Sequence, residues 1–384
     1  MYLCVLCRLQ NITERTERER VEMAEIKKIG VLTSGGDAPG MNAVIRAVTD
    51  KAIDEGIEVV GIVGGYRGLI DNNIKKLDYE FVSEIIGLGG TRLYSDRCKE
   101  FQTEEGMQKA IETCRKNNID AIVAIGGDGT FRGATDLTLH GVPTIGVTGT
   151  IDNDITATDY TVGFDTAMNT VLASLDKVKD TCESHARLAV VEVMGRDCGQ
   201  IALMTGIAAG AIAVVIPEIE FDEEAALERI MEARRKGKRG MIVLVSEGVY
   251  HTDENGKKTP YGEYFAKKIS AVTEIDVRFM RLGHLVRGGH PSLRDRLTAS
   301  RMGVKAVEFI MEGRSNIIVI EDNGRYVPMD IVFALTTDRM YKNKLKEGEL
   351  DQYNEEEIAA MKAICHKRTK EIKRLYYVAN SIAM

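Results

Sequence analysis

Lys28-Ile-Gly-Val-Leu-Thr-Ser-Gly-Gly-Asp-Ala-Pro-Gly40 is an apolar run that breaks into a glycine-rich loop, and an amphipathic stretch from Met41 to Asp54 follows it. An apolar run without polar alternation suits a strand covered on both faces, hence a parallel sheet flanked by helices. The same unit recurs outward from this segment. Val59–Val63, Ala121–Ile125, Thr144–Val147, Leu188–Val193, Ala211–Ile216 and Met241–Val245 are further β-branched runs bounded by glycines or polar turns. Helix-period segments such as Glu223–Lys236 separate them. That is too many strands for one small sheet. The expected fold class is α/β, with two doubly wound three-layer α/β/α domains, the chain crossing between them in short segments, and a helical C-terminal tail.

Bulk properties narrow the function. At 384 residues the chain is long enough for two cores, and a net charge of −7 argues against a nucleic-acid binder, which would need a basic surface. No apolar run approaches the roughly 18–20 residues that span a bilayer, so no membrane association is expected. The seven cysteines are scattered and odd in number, which argues against a disulfide framework and for a cytoplasmic protein. Cys4 and Cys7 form a C-x-x-C, yet no second pair or nearby histidine completes a zinc site. The stretch from Asn11 to Glu22 is polar and charge-dense, without the apolar stretch of a secretory signal. Residues 1–23 are expected to be a disordered extension, of which 1–22 would be non-native, with Met23 as the true start.

Three glycine-containing loops, Gly35–Gly40, Gly126–Thr130 and Gly146–Asp154, follow strands. Ligands of open α/β sheets bind beyond the carboxyl ends of the strands. A single Gly-Gly turn reads as a tight strand-to-helix connection, whereas three at corresponding strand ends suit phosphate, held by backbone N–H groups. Neither a P-loop nor a G-x-G-x-x-G dinucleotide fingerprint occurs at these strand ends. Asp128, Asp152 and Asp154 sit in loops that otherwise attract anions. Carboxylates there would repel phosphate unless a hard cation lies between, which points to Mg²⁺, while one of the three could accept a proton from an attacking hydroxyl. Asp-Asn-Asp alone also reads as a solvated turn. Arg97, Arg187, Arg196, Arg278 and Arg287 lie near strand ends or glycine turns, and guanidinium forks are suited to phosphate.

The segments Lys28–Asn42, Gly126-Gly-Asp-Gly-Thr130, Gly149-Thr-Ile-Asp-Asn-Asp154, Val190-Val-Glu-Val-Met-Gly-Arg196 and Leu282-Gly-His-Leu-Val-Arg-Gly-Gly289 together resemble the bacterial type of 6-phosphofructokinase. The resemblance runs from about Ile26 to about Asp330. It implies a homotetramer, with a dimer as the alternative, that phosphorylates the 1-hydroxyl of fructose 6-phosphate with ATP, the committed step of glycolysis. A larger nucleotide-binding domain would comprise 24–163 and 286–336, and a smaller sugar-phosphate domain 164–285 and 337–384. Asp152 matches the general base, with Thr150 positioning the sugar and the phosphoryl group. Asp128 matches the Mg²⁺-binding aspartate and Asp154 lies close to metal and substrate. Arg196 and Arg97 would neutralise the transferring phosphoryl group. Arg187 and Arg278, supplied by a neighbouring subunit in the family, would grip the 6-phosphate. Met194, Glu247, His284 and Arg287 would complete the sugar site. Gly36, Tyr66, Arg97, Cys98, Gly127, Gly129 and Thr130 would line the nucleotide.

Relatives that use pyrophosphate carry aspartate in place of Gly129 and lysine in place of Gly149, so both glycines here favour ATP. A pyrophosphate-dependent enzyme is the runner-up. A non-catalytic sugar-phosphate-binding subunit would be expected to lack Asp128, Asp152 or Arg196, and all three are present. Arg46, Lys179, Lys236 and Lys238 would fit the family's effector site for ADP or phosphoenolpyruvate. Asp50 replaces a second arginine there and would repel a phosphate. Cys98 stands where an adenine-packing aromatic is usual, and an insertion near His251–Tyr261 and a longer tail depart from the compact bacterial pattern.

Overall fold

The computed structural model describes residues 26–383. The expectations for residues 1–23, including the Cys4–Cys7 pair, lie outside them. The chain forms two compact units, the first comprising residues up to Ile151, Ile155–Gly163 and Gly289–Lys367, the second Asp152–Asp154, Phe164–Gly288 and the residues from Arg368 onward.

The first unit is built on strands β1 (Lys28–Thr33), β2 (Glu58–Ile62), β3 (Ile74–Leu77), β4 (Ala121–Gly126), β5 (Thr144–Thr148), β12 (Ile317–Asp322) and β13 (Arg325–Asp330). They form one sheet in the order β13-β12-β5-β4-β1-β2-β3. The inner pairs are parallel, while β3 and β13 close the two edges antiparallel. All six residues of β4 and all five of β5 are buried, as the unbroken apolar runs predicted. Local signals place the helices. Thr103 Oγ1 accepts from Gly106 N at 3.1 Å and caps Glu104–Lys116, whose acidic first turn and basic last turn suit the helix dipole. Ser292 caps Leu293–Met311 in the same way.

The second unit carries a parallel sheet of β6 (Leu188–Val193), β7 (Ala213–Val215), β8 (Met241–Ser246) and β11 (Val277–Arg281), in the order β11-β6-β8-β7. Its core gathers Leu188, Val190, Val243 and Val245 with Ile230 and Phe265 from two covering helices. The insertion near His251–Tyr261 is a hairpin of β9 (Tyr250–Thr252) and β10 (Lys258–Pro260), and the His251 ring stacks on Tyr264 with centroids 3.6 Å apart.

The observed division corrects the expected one at three places. Residues 337–367 belong to the first unit, because Asp338 accepts from Thr156 N and from Thr156 Oγ1 (2.7 Å) and Met361 is wholly buried in that core. Asp152–Asp154 count with the second unit although their neighbours on both sides belong to the first, and residues 286–288 also fall in the second. The tail is the helix Glu355–Ser381, and the unit boundary falls within it, between Lys367 and Arg368.

Candidate active site

In the first unit the strand order reverses between the neighbours β1 and β4, and a ligand crevice forms at such a switch. Hydrogen bonds tie the loops at this edge together. Ser34 N donates to Ile125 O at 3.1 Å, Thr130 Oγ1 to Ser34 O at 2.9 Å, and Gly149 N to Gly126 O at 2.8 Å. The segment that carries Arg97 joins them, because Ser95 Oγ donates to Gly35 O at 2.6 Å and Thr33 Oγ1 to Tyr94 O at 2.8 Å. Gly36, Arg97, Cys98, Gly127, Asp128, Gly129, Thr130 and Thr150 are therefore carried on one bonded set of loops. Arg97 is exposed, Cys98 half-buried against the core, and Thr150 is buried and held by Thr161 Oγ1 donating to its carbonyl at 2.7 Å. Tyr66 differs from the expected lining role. It is buried under the loops, stacked on Phe101 at 4.1 Å, and its hydroxyl donates to Thr130 O. Its ring packs inward against Phe101 and over Gly133, and its contact with the loop is the bond to the Thr130 peptide.

Gly127 and Asp128 open the helix Asp128–Leu139, whose first turn has no side-chain cap. Asp128 is paired with Arg132 one turn along at 2.7 Å. Gly129 has open space where a Cβ would stand, with nothing within 4 Å. Around Gly149, by contrast, a Cβ would lie 3.1 Å from Ile125 and 3.2 Å from Met41, both fully buried.

In the second unit the carboxyl ends of β6, β8 and β11 converge. Arg196 follows β6 in a left-handed backbone conformation (φ 52°). Its N–H donates to Glu247 Oε1 at 3.0 Å, at the end of the adjacent β8. Its guanidinium lies 3.4 Å from Asp154 Oδ2. Met194 is buried beside this turn, Arg287 is half-buried and His284 is exposed in the short turn after β11. Asp152 is only 2% exposed. Burial raises its carboxyl to about 6, Asp154 adds to the rise, and Arg287 and Arg196 oppose it.

Arg187 and Arg278 lie elsewhere. Both donate to Asp276 Oδ2, at 2.7 and 3.0 Å, and the two guanidiniums hold that carboxyl below its ordinary range. Arg187 precedes β6, and Arg278 pairs with Ala189 at the start of that strand. They stand at the amino end of the sheet, whereas Arg196, Glu247 and Arg287 stand at the carboxyl end. Six residues of strand separate the two groups by roughly 20 Å.

Of the expected effector residues, Lys179 and Lys238 are neighbours, since burial and then the Lys179 charge lower the Lys238 amine. Lys236 turns to Glu232 at 2.7 Å, and Arg46 pairs with Asp50 at 3.1 Å. Asp50 thus acts on Arg46 directly. Among the described residues no group of three or more His, Cys, Asp or Glu could cage a metal. Asp128, a single carboxylate on a phosphate-type loop, nevertheless suits Mg²⁺, which keeps several waters and takes its remaining ligands from phosphate oxygens. No described helix is long and apolar enough to cross a membrane.

Reading the sequence missed the two residues that brace the acidic loop from behind. Arg368 donates to Asn153 O, and the Gln200 amide lies 2.7 Å from Asn153 Nδ2 and within 2.9–3.1 Å of the Arg368 guanidinium. Arg368 sits in a basic helix with no motif around it, so the sequence carried no signal for it.

The profile of the family described as Phosphofructokinase matches residues 28–310. The ATP-dependent 6-phosphofructokinase 1 of Clostridium perfringens is 49% identical over 323 residues, 84% of this chain and 98% of that protein. The ATP-dependent 6-phosphofructokinase of Shouchella clausii is 51% identical over 307 residues, 79% of this chain and 93% of that protein. Among solved structures, Pichia pastoris phosphofructokinase in the T-state is similar with a TM-score of 0.77 and 31% identity over 90% of this chain. This chain spans 40% of that larger one.

Proposed function

This chain belongs to the phosphofructokinase family, and from that premise we infer that it transfers the terminal phosphoryl group of ATP to the 1-hydroxyl of fructose 6-phosphate, giving fructose 1,6-bisphosphate and ADP. One observation carries the mechanism. Asp152 is a buried carboxyl held near 6 within a cluster that also contains Asp154, Arg196, Arg287 and Glu247. A base tuned toward neutral pH accepts a proton most effectively, and a buried one with a pKa near 6 is still ionised in the cytoplasmic range.

Asp152 takes the proton of the sugar 1-hydroxyl as that oxygen bonds to the terminal phosphorus. The bond from phosphorus to the bridging oxygen breaks, and ADP leaves. Phosphoryl transfer needs charge stabilisation and alignment more than covalent help, and Arg196 and Arg97 supply positive charge for the equatorial oxygens. Glu247 fixes the Arg196 turn by accepting from the Gly195 and Arg196 N–H groups. Thr150 positions the phosphoryl group. Met194, Asp154, His284 and Arg287 contact the sugar. Mg²⁺, held by Asp128 and phosphate oxygens, would draw charge from the transferring group.

The 6-phosphate is assigned to Arg187 and Arg278 of a neighbouring subunit, in a homotetramer. Their place at the far end of the sheet from Arg196 supports this assignment. Open space at Gly129 and the tight surroundings of Gly149 support ATP over pyrophosphate, since an aspartate would fill the first and a lysine would strain the second. Lys179 and Lys238 are the residues best placed for an anionic effector. A cytoplasmic location fits the substrates. A coupled assay with ATP or pyrophosphate as donor, repeated with ADP and with phosphoenolpyruvate added, tests the whole reading. ATP should support turnover and pyrophosphate should not; the reverse result would overturn it.

A further inference from the structure

We propose that the C-terminal helix Glu355–Ser381 sets the rate of the chemical step through Arg368, a positioning residue for the Asp152-Asn153-Asp154 loop. The residues matched by the family profile end at 310, so this helix lies outside them. Arg368 is nonetheless 6% exposed, and its guanidinium donates to the carbonyl oxygen of Asn153, the residue between the two aspartates. Gln200, 3% exposed, sits within hydrogen-bonding reach of both that guanidinium and the Asn153 side chain. Cys198 Sγ approaches the same carbonyl at 3.9 Å.

The Asn153 backbone is left-handed (φ 48°), a conformation asparagine adopts more readily than most residues. Its peptide carbonyl is the handle on that conformation. Were the peptide to turn, the buried Arg368 guanidinium would lose its backbone acceptor and keep only the Gln200 amide, a costly change for a buried charge. The loop is therefore held from behind, and the Asp152 and Asp154 carboxylates keep the directions their neighbour's backbone dictates. Misplacement of a reacting group by about 1 Å can cost on the order of 10²-fold in rate. Glu218 accepts from Gly199 N at 2.9 Å; burial raises its carboxyl, and the Arg368 charge works against that rise.

The inference rests on Asp152 being the proton acceptor. In the full-length chain, Arg368→Ala should lower kcat at least ~10-fold while the KM for fructose 6-phosphate stays within about twofold, a loss confined to the transition state. Arg368→Lys, which can still donate to the carbonyl, should recover part of that loss. Gln200→Met keeps Arg368 and the helix but removes the linking amide, and should show the same split if Arg368→Ala does not fold. Met361→Ala opens a cavity in the other unit's core without touching Arg368 or its partners, and should lower the unfolding midpoint with kcat preserved. Unchanged kcat in folded Arg368→Ala or in Gln200→Met would overturn the proposal, as would a parallel kcat loss in Met361→Ala. Asp152→Ser separates the premise: if it keeps full kcat, the reading of the base is wrong, whereas its loss beside an intact Arg368→Ala condemns only the helix.

Discussion

In the proposed reaction Asp152 is the proton acceptor, and two measurements address it. Asp152→Ser should lower kcat by at least ~10²-fold, the usual contribution of a general base, with little change in KM for fructose 6-phosphate. A pH series should place an acid limb of kcat/KM near 6, where burial and Asp154 set the carboxyl. The same rise has a stability consequence of definite sign. A carboxyl lifted from 3.8 to about 6 opposes folding when ionised, by on the order of 3 kcal/mol. Asp152→Asn should therefore unfold at higher temperature than the parent at pH 8. The difference should shrink as pH falls through 6 and vanish below 3.8. Gly129→Asp is a second residue-scale test. With nothing within 4 Å of the added Cβ the protein should fold as before, so a raised KM for ATP at unchanged unfolding midpoint would mark lost nucleotide space, and an unchanged KM would remove Gly129 from donor choice.

At the scale of elements, local propensity and tertiary packing give opposite answers at Gly303. It lies within the helix Leu293–Met311, where glycine to alanine ordinarily gains about 1 kcal/mol. Here the added Cβ would stand 2.7 Å from Ala47 Cβ and 3.0 Å from Val44 O on the helix Met41–Asp54. The backbone carbonyl cannot yield, and overpacking of this kind costs typically ~1–3 kcal/mol. Gly303→Ala should destabilise the protein in urea, and a stabilised variant would show that the two helices can part. The capped helices and the buried strands were legible because their signals are local: Thr103 before two glutamates, or an unbroken apolar run such as Ala121–Gly126. Residues 337–367 were assigned to the wrong unit because a helical period states which face is apolar and not which core it enters.

For the whole molecule, the proposed sharing of the sugar site between two subunits, which the separation of Arg187 and Arg278 from Arg196 by the length of β6 supports, has a direct test. Arg196→Ala and Arg278→Ala, each inactive or weak alone, should regain activity when dissociated, mixed and reassociated, because hybrid interfaces pair two intact halves. No recovery on mixing, with mixed oligomers present, would return the 6-phosphate to residues of one chain. The sequence by itself determined the fold class, the three glycine loops and the acidic residues within them, while the preference for ATP came from the family resemblance at Gly129 and Gly149. Those features depend on residue type and short spacing, which a linear reading preserves. Only the tertiary structure decided that Tyr66 lies beneath its loop, that the arginines divide between opposite ends of one sheet, and that Arg368 reaches the Asn153 carbonyl from 215 residues away. Each of these is a meeting of distant segments, set by which faces the cores bury, and no local pattern encodes it.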